Sequence, residues 1–256
     1  MKTGYVTDIG QKKTNQDSML LVRAETSAGE AVLAIVCDGM GGLQKGELAS
    51  AEVIRAFDEW FQFVFPQLLD EGRRVDPNRV FSTWDRIIQE KNQQLIKCGQ
   101  QYGIQTGTTI AGLLVVKDQY FIVNVGDSRI YQVMDSGIRC LTKDHSLVMQ
   151  EVERGRLRPE EMEHDSRRNI LLQCIGASGS VEPDYLIGTV TPGSVFMLCC
   201  DGFRHEITSK EFYNYLKPEE HKAENRLQEQ LNRLLEMNLN RGEKDNITAI
   251  GIYIDE

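Results

Sequence analysis

Two hydrophobic runs in this chain stop on the same dipeptide. Residues 31–37, AVLAIVC, run into Asp38-Gly39, and residues 195–200, VFMLCC, run into Asp201-Gly202. A carboxylate at the end of a buried strand is costly unless something positive faces it. Asp17 precedes a third such run, 19–23, and Asp245 precedes a fourth, 247–253. A fold that gathers these strand ends at one sheet edge makes a site for hard divalent cations such as Mg²⁺ or Mn²⁺, which prefer oxygen ligands. The competing reading of each pair is an ordinary Asp-Gly turn, and spacing alone does not decide between them. In VCDGMGG, residues 36–42, Gly39 lets its carbonyl approach an ion with no side chain in the way. Gly41 and Gly42 let the chain turn sharply before a helix.

Strand-like runs rich in β-branched and aromatic residues recur at 19–23, 31–37, 108–116, 119–125, 129–134, 195–200 and 247–253. Residues 108–134 read as a meander, with tight turns at Lys117-Asp118 and Gly126-Asp127. Apolar residues at a period near 3.6 predict helices over 46–65 and 79–98, separated by Pro66, Gly72 and Pro77. Shorter helices are expected over 145–154, ended by Gly155, and over 222–238. Helices lying outside largely antiparallel sheets make an α+β layered domain rather than a βαβ repeat.

The 256 residues suffice for one sizeable core. With 29 Lys and Arg against 38 Asp and Glu, the net charge of −9 argues against a nucleic-acid backbone as partner. There is no 18-residue apolar run, and the start, MKTGYVTDIG, has no apolar core of a signal peptide, so no membrane span is expected. Six cysteines without a C-x-x-C pair read as reduced thiols of a cytoplasmic protein. Rival motifs fail. GMGGLQKGE fits neither a P-loop nor G-x-G-x-x-G, and His205-Glu206 is not followed by histidine at 209. No Gly-x-Ser-x-Gly elbow occurs.

Taken in order, the pieces TDIGQKKTNQDS (7–18), VCDGMGGLQKGELAS (36–50), GTT (107–109), NVGDSRIY (124–131), LTKDHS (141–146), RRNILLQCIG (167–176), LCCDGF (198–203) and DNIT (245–248) resemble the PP2C-type metal-dependent protein phosphatases in their compact bacterial form. The resemblance implies a single domain over 1–256, built as a four-layer α-β-β-α sandwich with two central, mainly antiparallel sheets. It implies hydrolysis of phosphoserine and phosphothreonine in proteins by a water held between two Mn²⁺ or Mg²⁺ ions, without a phosphoenzyme. Carried over, Asp38 bridges the ions, the Gly39 carbonyl binds one, and Asp201 and Asp245 hold the other. Asp17 binds metal directly or through water. A third, weaker ion would use Asp127 and Asp201, and Asn246 would orient Asp245 and its turn. The partners implied are phosphoproteins, including a serine/threonine kinase that the enzyme opposes, and the chain is expected to be monomeric.

Two departures from the family pattern stand out. The arginine expected to grip phosphate is replaced by Lys12 or Lys13, depending on which end of GQKKTNQD sets the count. Lysine is a point charge and lacks the planar two-pronged contact of arginine. Met40 stands where some relatives have a histidine acid. Residues 147–168 take the place of the family's mobile flap. Arg156, Arg158, Arg167 and Arg168 are its candidates for contacting an acidic phosphopeptide, with a solvated loop as the plainer reading. Thr108, Thr109, Ser128 and Arg129 are expected to be structural, and His145 to make local hydrogen bonds at a helix start, with Asp144 and Ser146 as ready partners. Two other functions remain open at this level: a non-catalytic domain that binds phosphoproteins, and a hydrolase of other phosphate esters.

Overall fold

A computed structural model of the chain describes residues 1–40, 45–69, 74–221, 223 and 225–255. Its strands are β1 (Lys2–Asp8), β2 (Ser18–Thr26), β3 (Gly29–Cys37), β4 (Ile110–Val116), β5 (Gln119–Val125), β6 (Arg129–Met134), β7 (Gly137–Cys140), β8 (Asp184–Thr189), β9 (Val195–Cys199) and β10 (Ile247–Tyr253). They form two five-stranded sheets, ordered β1-β10-β9-β6-β7 and β2-β3-β4-β5-β8. Every strand pairing is antiparallel. The helices are α1 (Gly46–Glu59), α2 (Pro77–Tyr102), α3 (Leu147–Glu153), α4 (Ser209–Leu216) and α5 (Arg226–Arg241).

The central strands are apolar on both faces because both faces are covered. In β3, Val32, Ala34 and Val36 join Leu198, Ile250 and Ile252 between the sheets. Their neighbours Ala31, Leu33, Ile35 and Cys37 face the other way, into a layer with Phe57, Trp60 and Trp84 of the first helical region. Successive side chains of a strand alternate faces, so one continuous apolar run feeds two interfaces. On the far side, Leu227, Leu231 and Leu234 of α5 cover β1 and β10. The four layers are therefore helices, sheet, sheet, helices.

Helix ends follow local chemistry. Asp76 caps α2 by accepting from the Asn78 N–H at 2.9 Å, and Gly103, at φ 65°, closes it. Ser146 caps α3. The helix expected over 46–65 stays α-helical only to Glu59. It continues as a π-helical turn over Trp60–Val64 and a 3₁₀ turn over Phe65–Leu68 that contains Pro66.

The meander expected over 108–134 is only half present. β4 and β5 form the hairpin at Lys117-Asp118, but β5 and β6 belong to different sheets. At Gly126 the chain leaves one sheet for the other. Its φ is +102°, and a Cβ there would lie 2.5 Å from Thr109 Cγ2. Only glycine allows this close, left-handed crossing.

Candidate metal centre

Asp38 follows β3 directly, and the GTT segment fixes it there. Its N–H donates to Thr109 Oγ1 at 3.0 Å. Its carbonyl accepts from the Thr109 N–H and the Thr108 hydroxyl, each at 2.9 Å. Thr109 Oγ1 in turn lies 2.7 Å from Ser128 Oγ. Gly39 makes a backbone bridge with Thr108. A Cβ at 39 would meet the Gln16 carbonyl oxygen at 2.3 Å and that of Gly46 at 2.6 Å, so three backbone segments converge on this glycine. The turn expected at Gly41 and Gly42 lies outside the described residues.

Asp17 is brought to Asp38 by Asn246. The Asn246 side chain accepts from the Gln16 N–H at 2.9 Å and donates to the carbonyls of Ile9 at 2.9 Å and Thr14 at 3.2 Å. It thus ties the whole 9–17 loop to the start of β10. Asp17, Asp38 and Cys200 offer ligand atoms that all lie within 4.8 Å of one another. Both Asp17 carboxylate oxygens are buried without a hydrogen-bond partner among the described residues. Thr248 and Cys200 come near enough to favour its charged form, yet neither makes a geometrically sound hydrogen bond. An orphaned buried carboxylate beside a second one is the donor set that a divalent cation completes. Desolvation, reinforced by Asp201 and Asp245, pushes Asp17 up to about 7. Asp38 is held well above the usual carboxylate range by desolvation, then by the charges of Asp17 and Asp201.

Asp201 and Asp245 are linked through two further side chains. His205 lies between Asp201, with Nε2 at 3.5 Å from Oδ2, and Glu243, with Nδ1 at 3.3 Å from Oε2. Glu243 Oε1 accepts from the N–H groups of Lys244 and Asp245, both at 2.7 Å. Gly202 lets this turn pack against β10, since a Cβ there would fall 2.1 Å from the Asn246 carbonyl oxygen.

The result is a cavity of about 350 Å³ lined by Asp38, Asp127, Asp201 and Asp245, with Lys12, Met40, Thr109, Asn169 and Leu171. Carboxylates from positions far apart in the chain meet there. Lys12 reaches Asp245, with Nζ 2.7 Å from Oδ1. Lys13 is exposed and does not line the cavity. Arg156 and Arg158 do not line it either. They are exposed and pair with Glu151 at 2.5 Å and Glu161 at 2.7 Å, within their own segment. Arg167 likewise pairs with Asp165 at 2.8 Å.

His145 bonds to none of the neighbours expected from sequence. Its ring meets the Gly126 N–H at 3.2 Å, Gln173 at 2.8 Å and Asp184 at 3.0 Å, which closes the crossing at Gly126. Arg129 forks onto Asp144 at 2.8 and 2.6 Å, a buried ion pair that holds the GDSR turn. The roles of Asn169, Arg204, His205 and Glu243 were not visible in the sequence. Only the position of Arg204 and His205 just after an Asp-Gly pair hinted at the site.

A profile described as Protein phosphatase 2C matches residues 7–236. The chain belongs to the protein phosphatase 2C family. Among its relatives, the serine/threonine phosphatase stp of Listeria welshimeri is 31% identical over 221 residues, covering 85% of this chain and 82% of the relative. The solved structure of the S. agalactiae serine/threonine phosphatase superposes with a TM-score of 0.83 at 30% identity, covering 99% of each chain. The catalytic domain of the serine/threonine protein phosphatase PstP, solved with two manganese ions, gives a TM-score of 0.75 at 25% identity, covering 99% of this chain and 98% of that one.

Proposed function

We propose that this protein hydrolyses phosphoserine and phosphothreonine in proteins, using two divalent ions held by Asp17, Asp38, Gly39, Asp201 and Asp245. The observation that carries this reading is the unpartnered, buried Asp17 carboxylate beside Asp38, which itself lines the cavity with Asp201 and Asp245. Five family-type donors without a cation would leave uncompensated charge in a partly buried site. When bound, the ions supply a water of lowered pKa and offset charge on the phosphoryl oxygens.

The chain's own residues do the rest. Lys12 stands at the cavity wall with its ammonium on Asp245, placed to turn toward a phosphoryl oxygen. Held between the Thr108–Thr109 backbone and the Gly39 turn, Asp38 needs little reorganisation to bind. Asn246 and Glu243 hold the loops of Asp17 and Asp245 in place. Met40 lines the cavity and has no proton to give, so leaving-group protonation falls to water. Residues 1–256 act as one catalytic domain, with 147–168 as the flap beside the cavity.

Phosphoproteins are the substrate class, and a kinase opposed by the enzyme is among them. Six free thiols, most of them buried, fit a reducing cytoplasm. No helix among the described residues is long and apolar enough to cross a membrane. The protein acts as a monomer. The test is turnover of a phosphothreonine peptide and of an aryl phosphate with Mn²⁺, against EDTA and Asp38→Asn controls. Metal-dependent release of phosphate from the peptide is expected. No metal-dependent turnover on either substrate would leave a phosphoprotein-binding domain instead.

A further inference from the structure

Asp127 has two different surroundings. On one side it lines the cavity with Asp38 and Asp201. On the other it faces a buried guanidinium. Arg204 Nη2 lies 3.8 Å from Asp127 Oδ2 and 3.7 Å from Asp144 Oδ2, and it donates to the Asp127 carbonyl at 3.4 Å. The side chains of Arg204, Asp127 and Asp144 are only 7%, 10% and 4% exposed. Arg129 occupies the remaining face of Asp144. Two guanidiniums and two carboxylates therefore balance one another beside the metal cavity.

The placement of Arg204 is tied to that of Asp201. Both lie on the turn after β9, where the Asp201 carbonyl accepts from the N–H groups of Arg204 at 2.9 Å and His205 at 3.1 Å. The turn that aims one carboxylate into the cavity thus aims a cation at the back of another. The resemblance led to the expectation of a third ion at Asp127 and Asp201. The residues do not fit it. A dication at Asp127 would sit within a few ångströms of a fixed guanidinium in a partly desolvated site, where like charges repel strongly. Arginine keeps its charge at any pH the protein meets, so the guanidinium cannot yield by losing a proton.

We propose that Arg204 is a built-in cation that takes the place of a third metal ion beside Asp127, so that the centre binds two divalent ions and no more. This rests on the two-ion reading above. Arg204 acts as a positioning residue: it holds Asp127 at the cavity wall, and pairs with Asp144 outside the lining, without touching substrate.

The test counts Mn²⁺ bound per chain from the loss of the free-ion electron paramagnetic resonance signal. Two ions are expected for the wild-type protein, and two again for Asp127→Asn. Arg204→Met, which removes the charge and keeps much of the bulk, should gain a weaker third ion that the added Asp127→Asn change abolishes. Arg204→Lys should remain at two. Three ions in the wild-type protein would overturn the proposal without recourse to any variant. So would loss of an ion in Asp127→Asn, or an unchanged count in folded Arg204→Met. Fewer than two in the wild-type protein would defeat the two-ion reading itself, and the proposal with it.

Discussion

The ammonium of Lys12 lies 2.7 Å from Oδ1 of Asp245, at the wall of the acidic cavity. Two adjacent lysines were equal candidates for the phosphate clamp, and the fold brings only the first to the site. Desolvation lowers the Lys12 pKa, but the hydrogen bond and charge of Asp245 outweigh it and hold the pKa above the usual value. Lys12 is therefore fully charged at neutral pH. Lys12→Ala is expected to raise KM and lower kcat/KM roughly tenfold or more, about 1.4 kcal/mol or above, as for loss of a charged hydrogen bond. Lys13→Ala should leave both nearly unchanged. Steady-state kinetics on a phosphopeptide decide this, and equal effects of the two changes would remove Lys12 from the role.

The metal-free carboxylates give stability a definite pH dependence. Asp17 and Asp127 are both pushed up to about 7, with desolvation the largest cause in each. The folded state therefore holds these protons more tightly than the unfolded state does. That contribution is favourable on the acid side and is lost as pH rises through about 7. In EDTA, Asp17→Asn should stabilise the protein more at about pH 8 than at about pH 5, because it removes a charge only where the charge exists. Saturating Mn²⁺ should reverse the sign at the higher pH. Urea midpoints at both pH values measure this, and an equal effect at the two would contradict it.

Asn246 is 5% exposed and spends its side chain on three backbone groups of the 9–17 loop. Asn246→Ala should cost roughly 2–3 kcal/mol, at about 1 kcal/mol for each hydrogen bond lost. It should also weaken metal binding by freeing Asp17. Thermal unfolding with and without Mn²⁺ separates the two effects: the stabilisation conferred by the ion should shrink in the variant.

Gly39 and Gly202 are required for close approach rather than for unusual dihedral angles. Neither has a positive φ, yet a methyl group at 39 would meet two carbonyl oxygens and one at 202 a third. Gly39→Ala should cost on the order of 2–4 kcal/mol, a backbone clash that no side-chain rotation relieves. It should also lower Mn²⁺ affinity, since the clash displaces the turn that carries Asp38. Calorimetric titration and a denaturation curve report the two losses, and a variant as stable as the wild-type protein would show that the neighbouring loops give way.

Much of the layered fold was legible because β3, β4, β5, β9 and β10 are predominantly apolar runs, and because α1 and α2 keep a 3.6-residue stripe. The weaker elements escaped notice. β1, KTGYVTD, is an edge strand with two buried residues, and β8 is exposed along most of its length. The helix α4 did leave a sign, the Thr208–Glu211 capping box before Phe212 and Leu216.

The sequence alone determined where strands end and which carboxylates end them, because burial pattern and turn chemistry are properties of neighbouring residues. It did not determine that the chain changes sheets at Gly126, that Lys12 rather than Lys13 faces Asp245, or that Arg204 backs Asp127. Each of these depends on pairings between residues tens to hundreds of positions apart, such as Asn246 with Gln16 and Thr109 with Asp38. Such contacts form only once the two sheets have packed, and no local period or motif encodes which of several suitable side chains will then be within reach.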